Sequence, residues 1–597
     1  MAAPIEDYAL LSNRRTAALV SRAGDIDWLC LPRYDSPSVF GALLGDENHG
    51  SWQLRPTDVD AEVTRRYDGD TFVLISRWRT GEGVAEVHDF MPLDGGRTDV
   101  VRRIVGVSGT VEFETRVWLR FDYARGIPWV RKVSEPDGPA LLAVLGPGAV
   151  VVRGAALHAD GNSHRGTLTV AAGDAIDLTM TWFPSHLAVP ERFDVEAVHE
   201  ATVAWWQDWA GRIEYSGPHH DTVVRSLLVL NALSHADTGG IVAAATTSLP
   251  EEFGGERNWD YRYVWLRDAA LTLEALIVHG FLGVVERWRG WLLRAVAGDP
   301  ADVQIMYGLA GERDLAERTI DSLPGYADSR PVRIGNGAVS QFQGDVLGEV
   351  LLALEAARAA GLEETTFSWP LQRALIDRVV ATIDWLDHGM WEIRGEPQRF
   401  THSRVMMWAA LDCGVRAVTE SGLEGDVDTW VRWRDHLRTE IDTHGVHPER
   451  GHFVQYYGSD ALDASLLLLP EVGYCAHDDP RMLATVDAIE RELMRDGLLL
   501  RYRTETGVDG LAGDEHPFLA CSFWLVEQYA ATGRDADAAA LMKRLCDLTN
   551  DVGLLSEEYD VTNLRHVGNT PQAFSHLALV RAADALAGRP EGTSRRR

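Results

Sequence analysis

The 597 residues carry 57 Lys and Arg against 89 Asp and Glu, a formal net charge of −32, and 46% of them are hydrophobic. At roughly 100 to 200 residues per domain, that length implies two or more domains with sizeable cores and excludes a chain that is disordered throughout. So negative a surface repels phosphate backbones and anionic lipid, which argues against nucleic acid as a partner, and no apolar run reaches the roughly 18 residues of a membrane span.

The N-terminus, Met1-Ala-Ala-Pro-Ile-Glu-Asp7, lacks a charged n-region and an apolar h-region. Cys30, Cys413, Cys475, Cys521 and Cys546 are scattered and never in a CxxC arrangement, so neither a disulfide framework nor a zinc cluster is signalled. A reduced, cytoplasmic protein is expected.

Residues 1–194 hold short runs rich in β-branched and aromatic residues, among them Thr71 to Trp78, Gly109 to Leu119 and Leu141 to Val152. Gly, Asp and Pro turns separate them and several alternate with period two, which predicts an all-β sandwich. At 195–218 the pattern becomes helical, with Trp205, Trp206 and Trp209 able to cover one side of a linker helix. From 219 to 589 the apolar period is helical, with candidate helices near 220–236, 264–279, 282–297, 340–360, 370–386, 400–419, 426–443, 460–468, 480–495, 516–532, 535–548 and 571–587. Short connections alternate with long ones across 237–263, 298–339, 387–399, 444–459, 496–515 and 549–570. Helix pairs joined by such loops fit an all-α (α/α)6 barrel whose long loops gather at one end. Residues 590–597, ending in Arg595-Arg596-Arg597, read as a disordered tail.

Among 89 acidic residues composition cannot select a catalytic pair, so position within the long loops is the filter. Asn258-Trp-Asp-Tyr-Arg-Tyr-Val-Trp-Leu-Arg-Asp268 runs into a helix and combines rings that stack on the C–H face of a sugar with Asp and Arg that bond its hydroxyls. Asp268 is equally placed to be a simple helix-start residue complementing the macrodipole. In His388-Gly-Met-Trp-Glu-Ile-Arg394, Glu392 sits among Met390, Trp391 and Ile393, where partial burial would raise its pKa as a general acid needs; the alternative is an exposed turn carboxylate paired with Arg394. In Gly553-Leu-Leu-Ser-Glu-Glu-Tyr-Asp560, Glu557 and Glu558 point in different directions in most local conformations, one into a pocket and one into a hydrogen-bond shell, unless this is only a charged loop.

Together these three elements resemble glycoside hydrolase family 15, the glucoamylase family, in its bacterial two-domain form. The resemblance covers nearly the whole chain and includes Gly24 to Phe40, Gln304-Ile-Met-Tyr-Gly308, Gly311-Glu-Arg-Asp-Leu315, Ser329 to Asn336 and Pro571-Gln-Ala-Phe-Ser-His576. It implies an N-terminal supersandwich packed on a catalytic (α/α)6 barrel, and exo-acting hydrolysis of α-glucosidic bonds with inversion. Carried over motif by motif, Glu392 is similar to the general acid, Glu557 to the general base and Tyr261 to the residue that positions the attacking water. Arg267, Asp268, Trp391, Trp259 and Arg501 are similar to sugar-binding residues. Inversion needs one carboxyl protonated and the other ionised, about 6.5 to 9.5 Å apart with water between.

No P-loop, H-E-x-x-H or EF-hand pattern is present, so no cofactor or metal is expected. His447 and His452 read as a hydrogen-bonded loop, and His576 as a core histidine. The leading reading is an inverting exo-α-glucosidase of the glucoamylase type that releases β-glucose from an α-linked di- or oligosaccharide. The alternative is an α,α-trehalase of the same family. An inverting sugar phosphorylase would not need Glu557, and a non-catalytic sugar-binding protein would need neither glutamate. A homo-oligomer is compatible with the sequence.

Overall fold

A computed structural model of the chain describes residues 2–93, 96–136, 138–299 and 302–588. The tail expected at 590–597 lies outside these residues. Among the described residues, fifteen antiparallel strands from Tyr8 to Pro184 form one hydrogen-bonded system in two layers. Thr98–Trp118 belongs to both: its first half pairs with Gly83–Phe90 and Ala175–Pro184, its second half with Ser51–Pro56 and Ser163–Ala171. In the second half Val111, Phe113, Thr115 and Val117 point inward alternately, as the period-two pattern predicts. The strand changes layer at a bulge, where Val84 pairs with Ser108 and Ala85 with Gly106. Gly109 follows at φ 62°, and a Cβ there would lie 2.1 Å from the Glu82 carbonyl oxygen, so only glycine fits. Arg102 ties the layers together: it pairs with Asp89 at 2.7 Å and donates to the carbonyls of Trp52 and Gly24.

Helix α1 (Val195–Ala210) starts on Asp194, whose side chain accepts from the Ala197 N–H. Its tryptophans bridge the two halves of the molecule: Trp206 meets Phe72 of the β-domain edge to face, and Trp209 stacks on Phe281 of the helical part at 4.2 Å.

The inner ring consists of α3 (Leu266–Val278), α5 (Val346–Ala359), α7 (Thr401–Thr419), a 3-10 helix (Ala464–Leu468), α10 (Leu519–Ala531) and α12 (Ala573–Leu586). Each packs on the next and α12 packs on α3, which closes the toroid. Around them lie α2 (His220–Ala232), α4 (Leu282–Ala295), α6 (Ser368–Ala381), α8 (Val427–His444), α9 (Pro480–Glu492) and α11 (Asp535–Cys546). Burial follows position: Leu266 to Leu276 of α3 are buried all round and α8 buries only Trp430, Leu437 and Ile441, while outer helix α2 is buried from Val223 to Ala232, where Ser12 and Arg14 of the β-domain donate to its last carbonyls. The helix expected at 460–468 is the 3-10 turn Ala464–Leu468, held between the Asp463 cap and Pro470, which has no N–H to continue it. The helix expected from 340 begins at Val346, after a 3-10 turn at Gly337–Ser340. No described helix is long and apolar enough to cross a membrane.

The β-domain reaches the barrel mouth directly. Trp28 Nε1 donates to the Ala245 carbonyl, and Arg262 donates to Tyr123 Oη and the Ser36 carbonyl, each at 2.9 Å. Arg262 is itself paired with Asp260 at 2.7 Å with both side chains buried, so the segment carrying Tyr261 is anchored against the β-domain.

Candidate active site

Glu392 stands in the turn between α6 and α7, with φ 60°, a left-handed conformation that costs a residue with a Cβ about 1–3 kcal/mol. The surroundings impose it. Gln341 Nε2 donates to the carbonyls of Glu392 and Ile393, and the Arg394 N–H donates to the Asp509 carbonyl. The carboxylate accepts from Trp265 Nε1 at 2.5 Å and from Arg267 Nη2 at 3.2 Å. Arg394 does not pair with it; that guanidinium binds Glu317 and lies over the Trp259 ring. Burial raises the pKa of Glu392, the Arg267 charge pulls it back, and Asp268 pushes it up again.

Arg267 and Asp268 lie in the buried first turn of α3. Arg267 donates to Gln343 and stands 3.4 Å from Asp268 Oδ2, an oxygen that has no hydrogen-bond donor among the described residues. Asp268 thus does more than start a helix: it holds this oxygen beside the Arg267 guanidinium on the pocket wall. Trp391 is oriented by its Nε1, which donates to Asp463 at 2.8 Å.

Glu557 is held from several sides. Its carbonyl accepts from the Leu519 N–H at the start of α10, and Leu555 just before it donates to Nε2 of buried His576. His576 also meets Ser226, which makes it the core histidine expected from the sequence. Gly568 packs against the Glu557 side chain at φ 77°, where an added Cβ would lie 2.7 Å from the carboxylate. Burial and the neighbouring Glu251 charge push the Glu557 pKa up to about 8, while Arg501, the Tyr261 hydroxyl and the Asn569 N–H favour its ionised form. Glu558 begins the strand Glu558–Asp560 and turns the other way, toward Arg501 and the His516 N–H.

Glu392 and Glu557 line one pocket of about 400 Å³ with Tyr261, Trp265, Arg267, Asp268, Trp391 and Arg501. A second, of about 430 Å³, adjoins it and shares Tyr261, Trp391, Glu392 and Arg501. Trp259, expected at the sugar site, lines only this second pocket, with Glu251, Arg257, Asn336, Arg394 and Asp509. Glu392 therefore faces both pockets and Glu557 only the first. Among the described residues no group of three or more His, Cys, Asp or Glu could hold a metal ion. His447 accepts from the N–H groups of Glu449 and Arg450, a hydrogen-bonded loop away from both pockets.

Residues 217–584 match the family model described as Glycosyl hydrolases family 15. The chain belongs to that family. Residues 1–172 match a model described as Trehalase-like, N-terminal. A trehalase of Mycobacterium tuberculosis is 36% identical, over 97% of this chain and 89% of the relative. A trehalase of Thermoplasma volcanium is 33% identical, over 98% and 93%. A bacterial glucoamylase solved with acarbose superimposes with a TM-score of 0.75 over 99% of this chain and 95% of that one, at 13% identity, and so shares the fold. The family 15 protein is a glycoside hydrolase with an N-terminal β-domain and a glucoamylase-like (α/α)6 barrel.

Sequence reasoning missed Trp265, Glu251, Arg257, Asp509 and Glu515. Trp265 lies inside the motif that was read, yet nothing local shows that its N–H reaches Glu392, 127 residues away. Glu251 follows Pro250 in an unremarkable Glu-Glu pair, and its partner Arg501 lies 250 residues on.

Proposed function

We propose that this protein is an inverting, exo-acting α-glucoside hydrolase that releases β-glucose from the non-reducing end of an α-linked di- or oligosaccharide. The observation that carries the reading is the meeting of Glu392 and Glu557, from elements 165 residues apart in sequence, on one pocket walled by Tyr261, Arg267, Asp268, Trp391 and Arg501. Glu392 gives its proton to the glycosidic oxygen at the junction of the two pockets. Glu557 takes a proton from a water held by Tyr261, and that water attacks the anomeric carbon from the opposite face. Arg267 and Asp268 bond the hydroxyls of the glucose, and Trp391 and Arg501 complete its walls. Trp259 belongs with the leaving sugar.

A second reading is that the substrate is α,α-trehalose. It is favoured by the named relatives and by the second pocket, which adjoins the first at Glu392 and has the Trp259 ring and the part-exposed Arg394 on its wall. The chain divides in this reading into the β-sandwich 1–194, the linker 195–218 and the catalytic barrel 219–589. Five free thiols support a reducing, cytoplasmic setting, and the net charge of −32 supports a partner list of small sugars without nucleic acid.

The test is proton NMR of glucose released from trehalose, maltose, isomaltose, kojibiose and nigerose, with Glu392→Gln and Glu557→Gln alongside. Early β-glucose, lost in both variants, is the expected result, and the sugar cleaved fastest names the substrate. From trehalose an inverting enzyme gives one β-glucose from the attacked ring and one α-glucose as the leaving sugar, so release of α-glucose with no early β-glucose overturns inversion. Turnover that requires phosphate transfers the reading to a phosphorylase.

A further inference from the structure

Behind the wall shared by the two pockets lies a buried network of charge of which the proposed mechanism uses Arg501 but none of the carboxylates. Arg257 pairs with Glu515 at 2.5 Å and with Asp509 at 2.6 Å. Arg501 pairs with Glu515 at 2.7 Å, with Glu251 at 3.2 Å and with Glu558 at 3.5 Å. Tyr502 donates to Glu515 and Asp509. Glu515 spans Arg257 and Arg501 with its two oxygens but lines neither pocket, whereas Glu251 lines the second pocket and reaches both through its two oxygens. Oε1 accepts from Nε1 of Trp259, in the second pocket, at 3.0 Å; Oε2 accepts from Arg501, which faces both pockets. Its side chain is 1% exposed.

The backbone leads to the same place. Glu251 follows the strand Thr247–Pro250, and its N–H donates to the Arg257 carbonyl, closing the loop between them. The Pro250 carbonyl accepts from the N–H of Gly568, the glycine packed on Glu557, and Asn569 Nδ2 donates to the Trp259 carbonyl. Glu251 and Glu557 thus stand on two segments braced against each other.

We propose that Glu251 is a positioning residue that links the second pocket to the proposed base, clamping Trp259 and Arg501 on its two oxygens and placing a negative charge behind Glu557. The proposal rests on the reading of Glu557 as the base. A carboxylate here does two things. It fixes the indole that receives the leaving sugar, and it opposes the ionisation of Glu557, so that a proton accepted from water is held rather than returned. The groups facing Glu557 are Glu251, Glu558, Tyr261 and Arg501, with Glu392 across Tyr261 and with Glu515 and Arg257 behind Glu251. The Glu251 charge, favoured by Arg501 against the burial that raises its own pKa, pushes the Glu557 pKa up.

The experiment measures kcat/KM against pH for the full chain on the panel disaccharide that it hydrolyses fastest, comparing wild type, Glu251→Gln and Glu251→Asp, with Glu557→Gln as the control. Glutamine keeps the shape and an acceptor but removes the charge, so the acidic limb of the profile moves to lower pH by about one unit. Aspartate keeps the charge but cannot reach both partners, so KM rises about tenfold while the limb stays near its wild-type position. An acidic limb unmoved in Glu251→Gln overturns the proposal. If that variant does not fold, Glu251→Asp decides: a raised KM with the acidic limb in place supports the clamp, and a wild-type KM overturns it. If Glu557→Gln keeps wild-type activity, the reading of the base fails first and the role of Glu251 falls with it.

Discussion

The two walls of the first pocket each present a glutamate, and they are built on different principles. On one wall Glu392 projects from a left-handed turn and meets a single guanidinium, an indole N–H and one neighbouring acid, Asp268. On the other, Glu557 grows from a braced segment at the end of a network in which Glu251, Glu515, Glu558 and Asp509 share Arg257 and Arg501. The first wall controls its carboxyl through a few directed contacts, the second through an excess of buried negative charge. Burial raises the pKa of both carboxyls, Glu557 to about 8, and different partners favour the ionised form, Arg267 on the first wall and Arg501 with Tyr261 on the second; in the proposed mechanism the first carboxyl is the proton donor and the second, once ionised, the acceptor.

The comparison breaks if the two glutamates are interchangeable or dispensable. Glu392→Gln and Glu557→Gln should each lower kcat by about 10²–10⁴, the usual value of a positioned acid or base, with KM held within a few fold. Initial-rate glucose assays on the substrate identified by NMR check this. Either variant retaining wild-type turnover removes its wall from the mechanism.

Breaking the support of the Tyr261 segment should cost stability as well as rate. Arg262→Met leaves Asp260 buried with its guanidinium gone, a change worth about 3–5 kcal/mol. Chemical denaturation of the full chain should show the loss, and a variant as stable as wild type would show that the β-domain does not anchor this segment.

Tyr261→Phe sharpens the contrast between the walls. Removing a hydroxyl that bonds a carboxylate costs about 1.5–3 kcal/mol, equivalent to roughly 10- to 100-fold in kcat/KM. The sign of the pH effect follows from the geometry. The Tyr261 hydroxyl stabilises ionised Glu557, so its loss raises that pKa and moves the acidic limb to higher pH. In the wild type, kcat/KM should climb as Glu557 deprotonates, along a limb displaced above the ordinary carboxyl range toward about 8, and fall when Glu392 loses its proton. An alkaline limb that moves in Tyr261→Phe while the acidic one stays would exchange the two assignments.

The smallest effect belongs far from both walls. Lys543 and Asp547 pair across one turn of α11 with both side chains about two-thirds exposed, so Lys543→Ala should change stability by less than about 0.5 kcal/mol and leave the pH profile unmoved. A change in the profile would mean that the limbs report net charge rather than the local network.

The fold was legible where burial follows a period. Val111, Phe113 and Val117 alternate because one side of their strand faces the core, and the helices of both rings carry apolar residues at helical spacing. The exceptions are local. The stretch at 460–468 has the composition of a helix, but Pro470 and the Asp463 cap confine it to a short 3-10 turn. At the site, Tyr261, Arg267, Asp268, Trp391, Glu392, Arg501 and Glu557 were legible as motifs, and all line the first pocket. Trp259 was legible as a sugar-binding type but not as a resident of the second pocket. Glu251 and Glu515 carry no mark in a chain of 89 acids.

By itself, then, the sequence determined the order of the two architectures, the helical and strand periods, and the short runs in which aromatic, Arg and acidic residues gather. These are local properties, written within ten or twenty residues by side-chain spacing and turn chemistry. Only the tertiary structure decided which of those runs meet, which face of Glu557-Glu558 enters the pocket, and which distant carboxylates stand behind it. The physical reason is that charge acts through space: Glu251 lies 250 residues from Arg501 along the chain and 3.2 Å from it in the fold. A carboxyl group takes its character from such neighbours far more than from the residues beside it in sequence.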